Sequence, residues 1–120
     1  MNIKNDTRPW GFFRQFTENE PSTIKIISVD AGHRLSLQYH NKRDEFWVVL
    51  SGNPVIRIGE TVTHAIAGEE FSIPKKTNHR IEALENNVQV LEIAFGDFDE
   101  NDIVRIEDAY GRIPLNKKKE

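Results

Sequence analysis

The sequence predicts an all-β domain built as an antiparallel sandwich or barrel. Eight short segments rich in Ile, Val and Phe follow one another between residues 23 and 95. Glycine, proline, asparagine or aspartate closes them, which is the pattern of strands joined by tight turns. No long amphipathic stretch separates the segments, and strands at this close spacing are typical of a sandwich or barrel.

The predicted strands are short runs, each bounded by turn signals. Glycine or proline lies between most neighbouring pairs, as in Gly52-Asn53-Pro54 and at Gly59 and Gly68. Residues of these types supply the backbone conformations that turns require. The predicted strands cover residues 23–29, 34–40, 45–50, 54–58, 61–66, 70–73, 79–83 and 88–95.

The N-terminal residues 1–22 differ from the barrel strands. They are polar and carry Phe12, Phe13 and Phe16 without a clear period. We therefore expect an irregular arm that lays its aromatic rings on the core.

The C-terminal segment is predicted to contain one short helix. Ile103, Ile106 and Tyr110 recur at helix-like spacing behind the acidic Asp99, which could cap a helix. The helix would occupy residues 99–110. We expect one domain, consisting of an arm (1–22), a barrel (23–96) and a C-terminal segment (97–120).

Composition excludes several classes of function. The 120 residues carry a net charge of −3, whereas nucleic-acid-binding domains usually have a basic excess. Without cysteine, the chain can have no disulfide, thiolate metal site or cysteine nucleophile. The longest apolar run is too short to cross a bilayer, and the N-terminus lacks the apolar stretch of a signal peptide. We expect a cytoplasmic protein with neither nucleic acid nor membrane as partner.

Gln38, His40 and Glu45 form a candidate metal site. Residues two apart on a strand face the same side, so Gln38 and His40 point together. A four-residue connection then allows Glu45 to return beside them on the next strand. Imidazole, carboxylate and amide groups suit a divalent metal ion, and His79 is a candidate fourth ligand. The alternative is that these histidines are ordinary core or surface residues. We favour this alternative interpretation for His33 and His64.

These residues resemble the first motif of the cupin family, G-x5-H-x-H-x(3,4)-E-x6-G. Here Gly32 is followed after five residues by Gln38, His40 comes two residues later, and Glu45 and Gly52 complete the spacing. Gln38 stands where the first histidine is common. The resemblance implies a jelly-roll β-barrel that holds a metal ion inside.

A second stretch resembles the other cupin motif, G-x5-P-x-G-x2-H-x3-N. Gly68, Pro74 and His79 have the required spacing, while Lys76 replaces a glycine and Ala83 an asparagine. The resemblance implies that Gln38, His40, Glu45 and His79 bind one divalent metal ion. Zinc is the first choice, with manganese, iron, cobalt and nickel as alternatives.

The resemblance is closest to the cupin domain of type II mannose-6-phosphate isomerases and runs from about Arg8 to Arg112. In that family the domain is usually the C-terminal half of a bifunctional guanylyltransferase/isomerase. Phe46 stands where the family commonly has histidine, and we expect the metal ligands to be unaffected. The matching stretches are Arg8-Pro9-Trp10-Gly11, Leu35-Ser36-Leu37-Gln38-Tyr39-His40, Arg43-Asp44-Glu45-Phe46-Trp47-Val48-Val49, Ile73-Pro74, His79-Arg80, Asp102-Ile103-Val104-Arg105 with Asp108, and Tyr110-Gly111-Arg112.

The resemblance suggests four cations that would bind the phosphate of a sugar phosphate. Arg105 and Arg112 are the first candidates, followed by Arg80 and Lys25. The planar guanidinium of arginine suits bidentate contact with phosphate. The alternative is that the arginines are solvated or paired with acidic neighbours and that Lys25 protects an edge strand.

The implied function is metal-dependent isomerisation of mannose 6-phosphate to fructose 6-phosphate, or of a related phosphosugar, through an enediolate. The general base stays open among Lys25, Arg80, Glu92 and a metal-bound hydroxide. A second hypothesis is a non-catalytic cupin that binds metal and a sugar or phosphosugar. An oxygenase is a third, weaker one. Since cupins often pair through edge strands or arms, we also expect a homodimer.

Overall fold

The computed structural model describes residues 3–113, and the regular secondary structure of these residues consists of β-strands only. They form one hairpin and two larger sheets. No helix long and apolar enough to cross a membrane occurs among the described residues. The strands are β1 Lys4–Arg8, β2 Gly11–Gln15, β3 Ser22–Val29, β4 Leu37–Tyr39, β5 Glu45–Ser51, β6 Val55–Ile58, β7 Thr61–His64, β8 Glu70–Ile73, β9 His79–Glu82, β10 Val88–Phe95 and β11 Val104–Glu107.

The two larger sheets enclose the core between their facing sides. Their strand orders are β3-β10-β5-β8 and β11-β4-β9-β6-β7, with antiparallel pairing throughout. Trp47 and Val90 of the first sheet pack in one buried cluster with Ile56 and Ile81 of the second. Because side chains alternate along a strand, Glu45 points inward from β5 on the same face as Trp47. The barrel therefore places polar groups inside at one end of its apolar core.

The barrel strands follow the sequence prediction closely. Strands β8 and β10 have the predicted bounds, and each of the other six overlaps its predicted segment. The largest difference is at residues 34–40, where β4 covers only Leu37–Tyr39. The Leu35 N–H still donates to the Ile81 carbonyl at 2.9 Å, outside the regular strand.

The N-terminal arm is ordered, so the expected irregular structure is wrong. Strands β1 and β2 form an antiparallel hairpin in which Arg8 faces Gly11 across the turn. The aromatic contact with the barrel is present, because the Phe16 and Phe46 ring centroids lie 5.7 Å apart. Phe46 is therefore buried on the outer face of β5 and does not point into the barrel.

The predicted helix over residues 99–110 is also wrong. Strand β11 occupies Val104–Glu107 and pairs with the edge of β4. Its β-branched residues favour a strand, and that pairing is a non-local contact. Before it, the Asp99 carboxylate accepts a hydrogen bond from the Asn101 N–H at 2.9 Å, a local turn that competes with helix formation. Residues 114–120 of the predicted C-terminal segment lie outside the described residues.

Two turns near the cupin-like motifs have backbone conformations that favour glycine. Gly52 has φ +83°, and a Cβ there would clash with the Asn87 carbonyl oxygen. Lys76, which replaces a motif glycine, has φ +65°. This conformation costs a non-glycine residue about 1–2 kcal/mol. The Lys76 N–H donates to the His40 carbonyl at 2.6 Å, so the turn leading to His79 stays anchored despite the substitution.

Candidate metal centre and adjoining pocket

Three side chains from separate strands meet inside the barrel. His40 follows the end of β4, Glu45 begins β5 and His79 begins β9. All three are buried, with Glu45 0% exposed. The Nε2 atom of His40 lies 3.5 Å from Glu45 Oε2, and that of His79 lies 3.6 Å from Glu45 Oε1. Their ligand atoms all lie within 4.8 Å of one another, so the geometry could hold one metal ion.

Hydrogen bonds orient both imidazoles toward the centre. His40 Nδ1 lies 2.6 Å from the Asp102 carbonyl oxygen, and His79 Nδ1 lies 2.9 Å from that of Thr77. A carbonyl can only accept, so Nδ1 carries the proton and Nε2 keeps its lone pair. Metal-binding histidines commonly have such a partner on the second ring nitrogen.

The fit to a metal ion is supported by two unpartnered buried atoms. Glu45 Oε1 and His79 Nε2 have no hydrogen-bond partner among residues 3–113. Burial lowers the pKa of His40 and lowers that of His79 to about 4, so both rings are neutral at pH 7. Two neutral imidazoles and a carboxylate match the donor set of Zn²⁺ and related divalent ions.

Gln38, the proposed fourth ligand, lies beside this cluster. It pairs with His79 across β4 and β9 and lines a cavity together with His40. Its Oε1 accepts a hydrogen bond from Ser36 Oγ at 2.6 Å. The side chain is therefore held near the histidines, while its role as a ligand stays a prediction.

Arg43 is the main site residue that the sequence analysis missed. Its position next to Asp44 favours a surface pair with that residue or another acid, but the guanidinium is buried inside the barrel. Its Nε donates to Glu45 Oε2 at 2.8 Å, and its Nη2 donates to His40 Nε2 at 3.2 Å. A metal ion that uses this His40 lone pair must displace the second contact. The spacing of Arg43 between His40 and Glu45 was the available signal.

A cavity of about 400 Å³ adjoins the metal centre. Lys25, Arg105 and Arg112, three of the predicted phosphate-binding residues, line it together with Phe98. Pairing of β11 with β4 places Arg105 opposite Gln38, and within the described part of the chain its buried Nε has no hydrogen-bond partner. Lys25 Nζ lies 4.3 Å from the Phe98 ring centroid. The cavity therefore combines the metal centre with cationic groups.

The other two predicted arginines have different environments. Arg112 is at the edge of the cavity and donates to the Asp108 carboxylate through its backbone N–H, Nε and Nη2. Arg80 alternates with His79 on β9 and does not line the cavity. It donates to the Leu35 carbonyl and to Glu107. The structure thus separates Arg80 from the other candidates.

Glu92 faces the cavity, which settles an orientation that the sequence left open. It lies between Lys25 and Trp47 in the sheet, and Trp47 Nε1 donates to it at 3.3 Å. Burial, followed by the charge of Glu45, raises the pKa of Glu92 to about 7. Trp47 is a core residue whose ring also contacts His79 edge-on.

Comparison with known proteins identifies the family. A family model described as "Mannose-6-phosphate isomerase C-terminal" matches residues 2–108. The chain belongs to this family. The match covers the hairpin, the barrel and β11, so it includes the metal centre and every residue of its pocket except Arg112.

Curated relatives of this chain include a xanthan biosynthesis protein and a mannose-1-phosphate guanylyltransferase. The Xanthomonas campestris xanthan biosynthesis protein XanB is 36% identical over 107 residues, covering 88% of this chain and 23% of the relative. Mannose-1-phosphate guanylyltransferase ManC of Salmonella typhimurium is 35% identical over 111 residues, covering 88% and 22%. The chain therefore spans less than a quarter of the length of these relatives.

Solved structures show the fold of the domain to be a cupin barrel. The capsular polysaccharide assembling protein CapF of Staphylococcus aureus matches with a TM-score of 0.66 and 20% identity, over 88% of this chain and 34% of CapF. A cupin protein of Bacteroides fragilis matches with a TM-score of 0.58 and 20% identity, over 68% and 74%. The expected cupin fold is thus confirmed.

Proposed function

We propose that this domain is a metal-dependent aldose–ketose isomerase that interconverts mannose 6-phosphate and fructose 6-phosphate, or a related phosphosugar. The observation that carries the proposal is one cavity lined both by His40, a member of the His40, Glu45 and His79 cluster, and by Arg105, whose buried Nε has no hydrogen-bond partner among the described residues. A sugar phosphate offers oxygens to the first and a phosphate to the second. Family membership supports the same reaction class. The names of the relatives support a role in polysaccharide precursor synthesis.

The chemistry requires a proton to move between C1 and C2 of the open-chain sugar. A divalent ion held by His40, Glu45 and His79, with Gln38 as the proposed fourth donor, would supply Lewis acidity for the developing oxyanion. Among the described residues, two carboxylates outside that ligand set line the cavity, Glu92 and Glu100, and we assign the proton transfer to Glu92 because it is buried whereas Glu100 is exposed. Trp47 holds Glu92 in place through its indole N–H.

The reaction can be tested by proton NMR of the metal-loaded protein with mannose 6-phosphate in deuterated water. Formation of fructose 6-phosphate, or exchange of the C2 proton, is the expected result. Line broadening of an unchanged substrate would instead support the alternative hypothesis of a non-catalytic phosphosugar-binding cupin. The absence of both signals would contradict both hypotheses.

Arg105 is expected to contact the phosphate, assisted by Lys25 and Arg112. Replacing Arg105 with glutamine should weaken mannose 6-phosphate binding by about 1–3 kcal/mol, the range for a lost hydrogen bond to a charged group. Mannose without the phosphate should bind the variant and the wild type equally. Isothermal titration of both sugars checks this. Arg8→Gln, which removes the same charge from the exposed hairpin, is the control, and equal losses for both sugars would exclude a phosphate contact.

We also propose a homodimer in which a second copy covers the exposed apolar residues of the hairpin and β3. Trp10 is 73% exposed on the hairpin, and Ile24 is 60% exposed on the outer face of the edge strand. Burying such residues against a second copy removes apolar area from water. Light scattering should give the mass of a dimer for the wild type and of a monomer for a Trp10→Ser/Ile24→Ser variant. A monomeric wild type would contradict this.

A further inference from the structure

Asp102 makes hydrogen bonds to three consecutive residues next to the metal centre. Its carbonyl accepts from His40 Nδ1 at 2.6 Å. One carboxylate oxygen accepts from the Asn41 N–H at 2.9 Å, and the other accepts from the Lys42 N–H at 3.0 Å. Main chain and side chain of one residue thus hold a metal ligand and the two residues that follow it.

The same segment continues directly into the strand that carries Arg105. Strand β11 begins at Val104, which pairs with Tyr39, and Arg105 pairs with Gln38. The Asp102 hydrogen bonds therefore extend the attachment of β11 to β4 past the end of the strand pair. His40 and Arg105 belong to two segments that cannot shift independently while these bonds are intact.

We propose that Asp102 is a positioning residue that orients His40 for the metal ion and couples metal binding to anion binding at Arg105. This inference rests on the proposed metal centre and phosphate contact. A metal ion bound to His40 restrains residues 40–42, and the hydrogen bonds of Asp102 to these residues then restrain β11 as well. By thermodynamic linkage, an anion at Arg105 must strengthen metal binding by the same factor by which the metal strengthens anion binding.

The substitution Asp102→Ala removes both carboxylate bonds and leaves the carbonyl without its anchor. Loss of a group that orients a metal ligand typically weakens metal binding about 10–100-fold, and we expect an effect in this range. Asp102→Asn keeps one acceptor oxygen and replaces the other by a donor NH₂ group. Since that group cannot accept from a backbone N–H, the Asn variant should fall between the wild type and the Ala variant.

The test measures Zn²⁺ affinity by competition with a chromophoric chelator, with and without sulfate as a tetrahedral anion. In the wild type, sulfate should strengthen Zn²⁺ binding by a factor of about 5 or more, within the usual range of coupling between sites. In Asp102→Asn this factor should shrink toward 1. The visible spectrum of bound Co²⁺ should change as well, because the spectrum reports ligand geometry. A purely structural loss would lower thermal stability without moving either quantity.

Asp97→Asn is the matched control, because it removes the same charge from an exposed position of the same segment. It should leave Zn²⁺ affinity and the sulfate effect unchanged. Wild-type Zn²⁺ affinity and an unchanged sulfate effect in both Asp102 variants would overturn the positioning role while leaving the metal centre intact. A wild type that binds no metal ion would overturn the proposed centre itself.

Discussion

Replacing His79 with alanine is expected to weaken Zn²⁺ binding by about 100-fold or more, since loss of an outer partner of a ligand alone costs about 10–100-fold. In the part of the chain that the structure describes, His79 supplies one of three buried donors, and its Nε2 has no other partner. The bound state would keep only His40 and Glu45 from the cluster. His40→Ala should have the same effect from a different strand. Metal content after dialysis and the Zn²⁺ dissociation constant are the measurements.

The chain offers matched controls for these two variants. His33 and His64 are exposed and lie outside the cluster, so His33→Ala and His64→Ala should bind Zn²⁺ as the wild type does. Circular dichroism of each variant separates loss of a ligand from loss of the fold. One equivalent of metal retained by folded variants of both His40 and His79 would refute the centre.

Much of the metal cluster could be predicted because its spacing depends on local geometry. Gln38 and His40 share a face through strand alternation, and the short connection brings Glu45 back beside them. His79 is different, because its approach depends on the pairing of β9 with β4, which no local rule fixes. The similarity to the second cupin motif supplied that contact, and Gln38 does lie opposite His79.

The sequence predictions failed where non-local contacts override the local sequence pattern. The spacing of Ile103 and Ile106 fits a helix, but β4 offers an unpaired edge that this segment fills as β11. Orientation of Glu92 could not be predicted because Ile93, on the other face of β10, is buried as well. Ile93 pairs with Phe46, which Phe16 of the arm covers, so both faces of β10 carry apolar residues.

Arg43 shows a different limit of sequence reasoning. Arginine is usually exposed, and a turn next to Asp44 suggests a surface pair. Inside the barrel its charge instead offsets that of Glu45, which lowers the cost of burying the carboxylate. The burial of Arg43 follows from charge balance only after Glu45 has been placed inside the barrel. The sequence does not show that Glu45 must be placed first.

Replacing Glu92 with glutamine is expected to stabilise the metal-free protein at pH 8 by roughly 3 kcal/mol, the equivalent of a pKa raised from 4.5 to about 7. The folded state keeps Glu92 protonated up to about pH 7, whereas the unfolded state ionises near pH 4.5. Wild-type stability from this group is therefore lost as pH rises through that window. Glutamine cannot ionise, and its oxygen can still accept from Trp47. Lys25 and Glu45 face the same position, and the repulsion from Glu45 is already part of the raised pKa on which this figure rests.

The titration of His79 determines at which pH values the stability of the wild type and of the Glu92→Gln variant should be compared. Its pKa falls from 6.5 to about 4 on burial, so its neutral form favours folding above pH 6.5, and stability is lost as pH falls toward 4. Between pH 4.5 and 6.5 the effects of Glu92 and His79 on stability offset each other, while the lowered pKa of His40 acts in the same direction as that of His79. Urea unfolding of the chelator-treated Glu92→Gln protein should therefore show stability that increases from pH 4 to 6.5 and then levels. The surface variant Glu85→Gln should follow the wild type, and a Glu92→Gln effect of equal size at pH 5 and pH 8 would contradict the raised pKa.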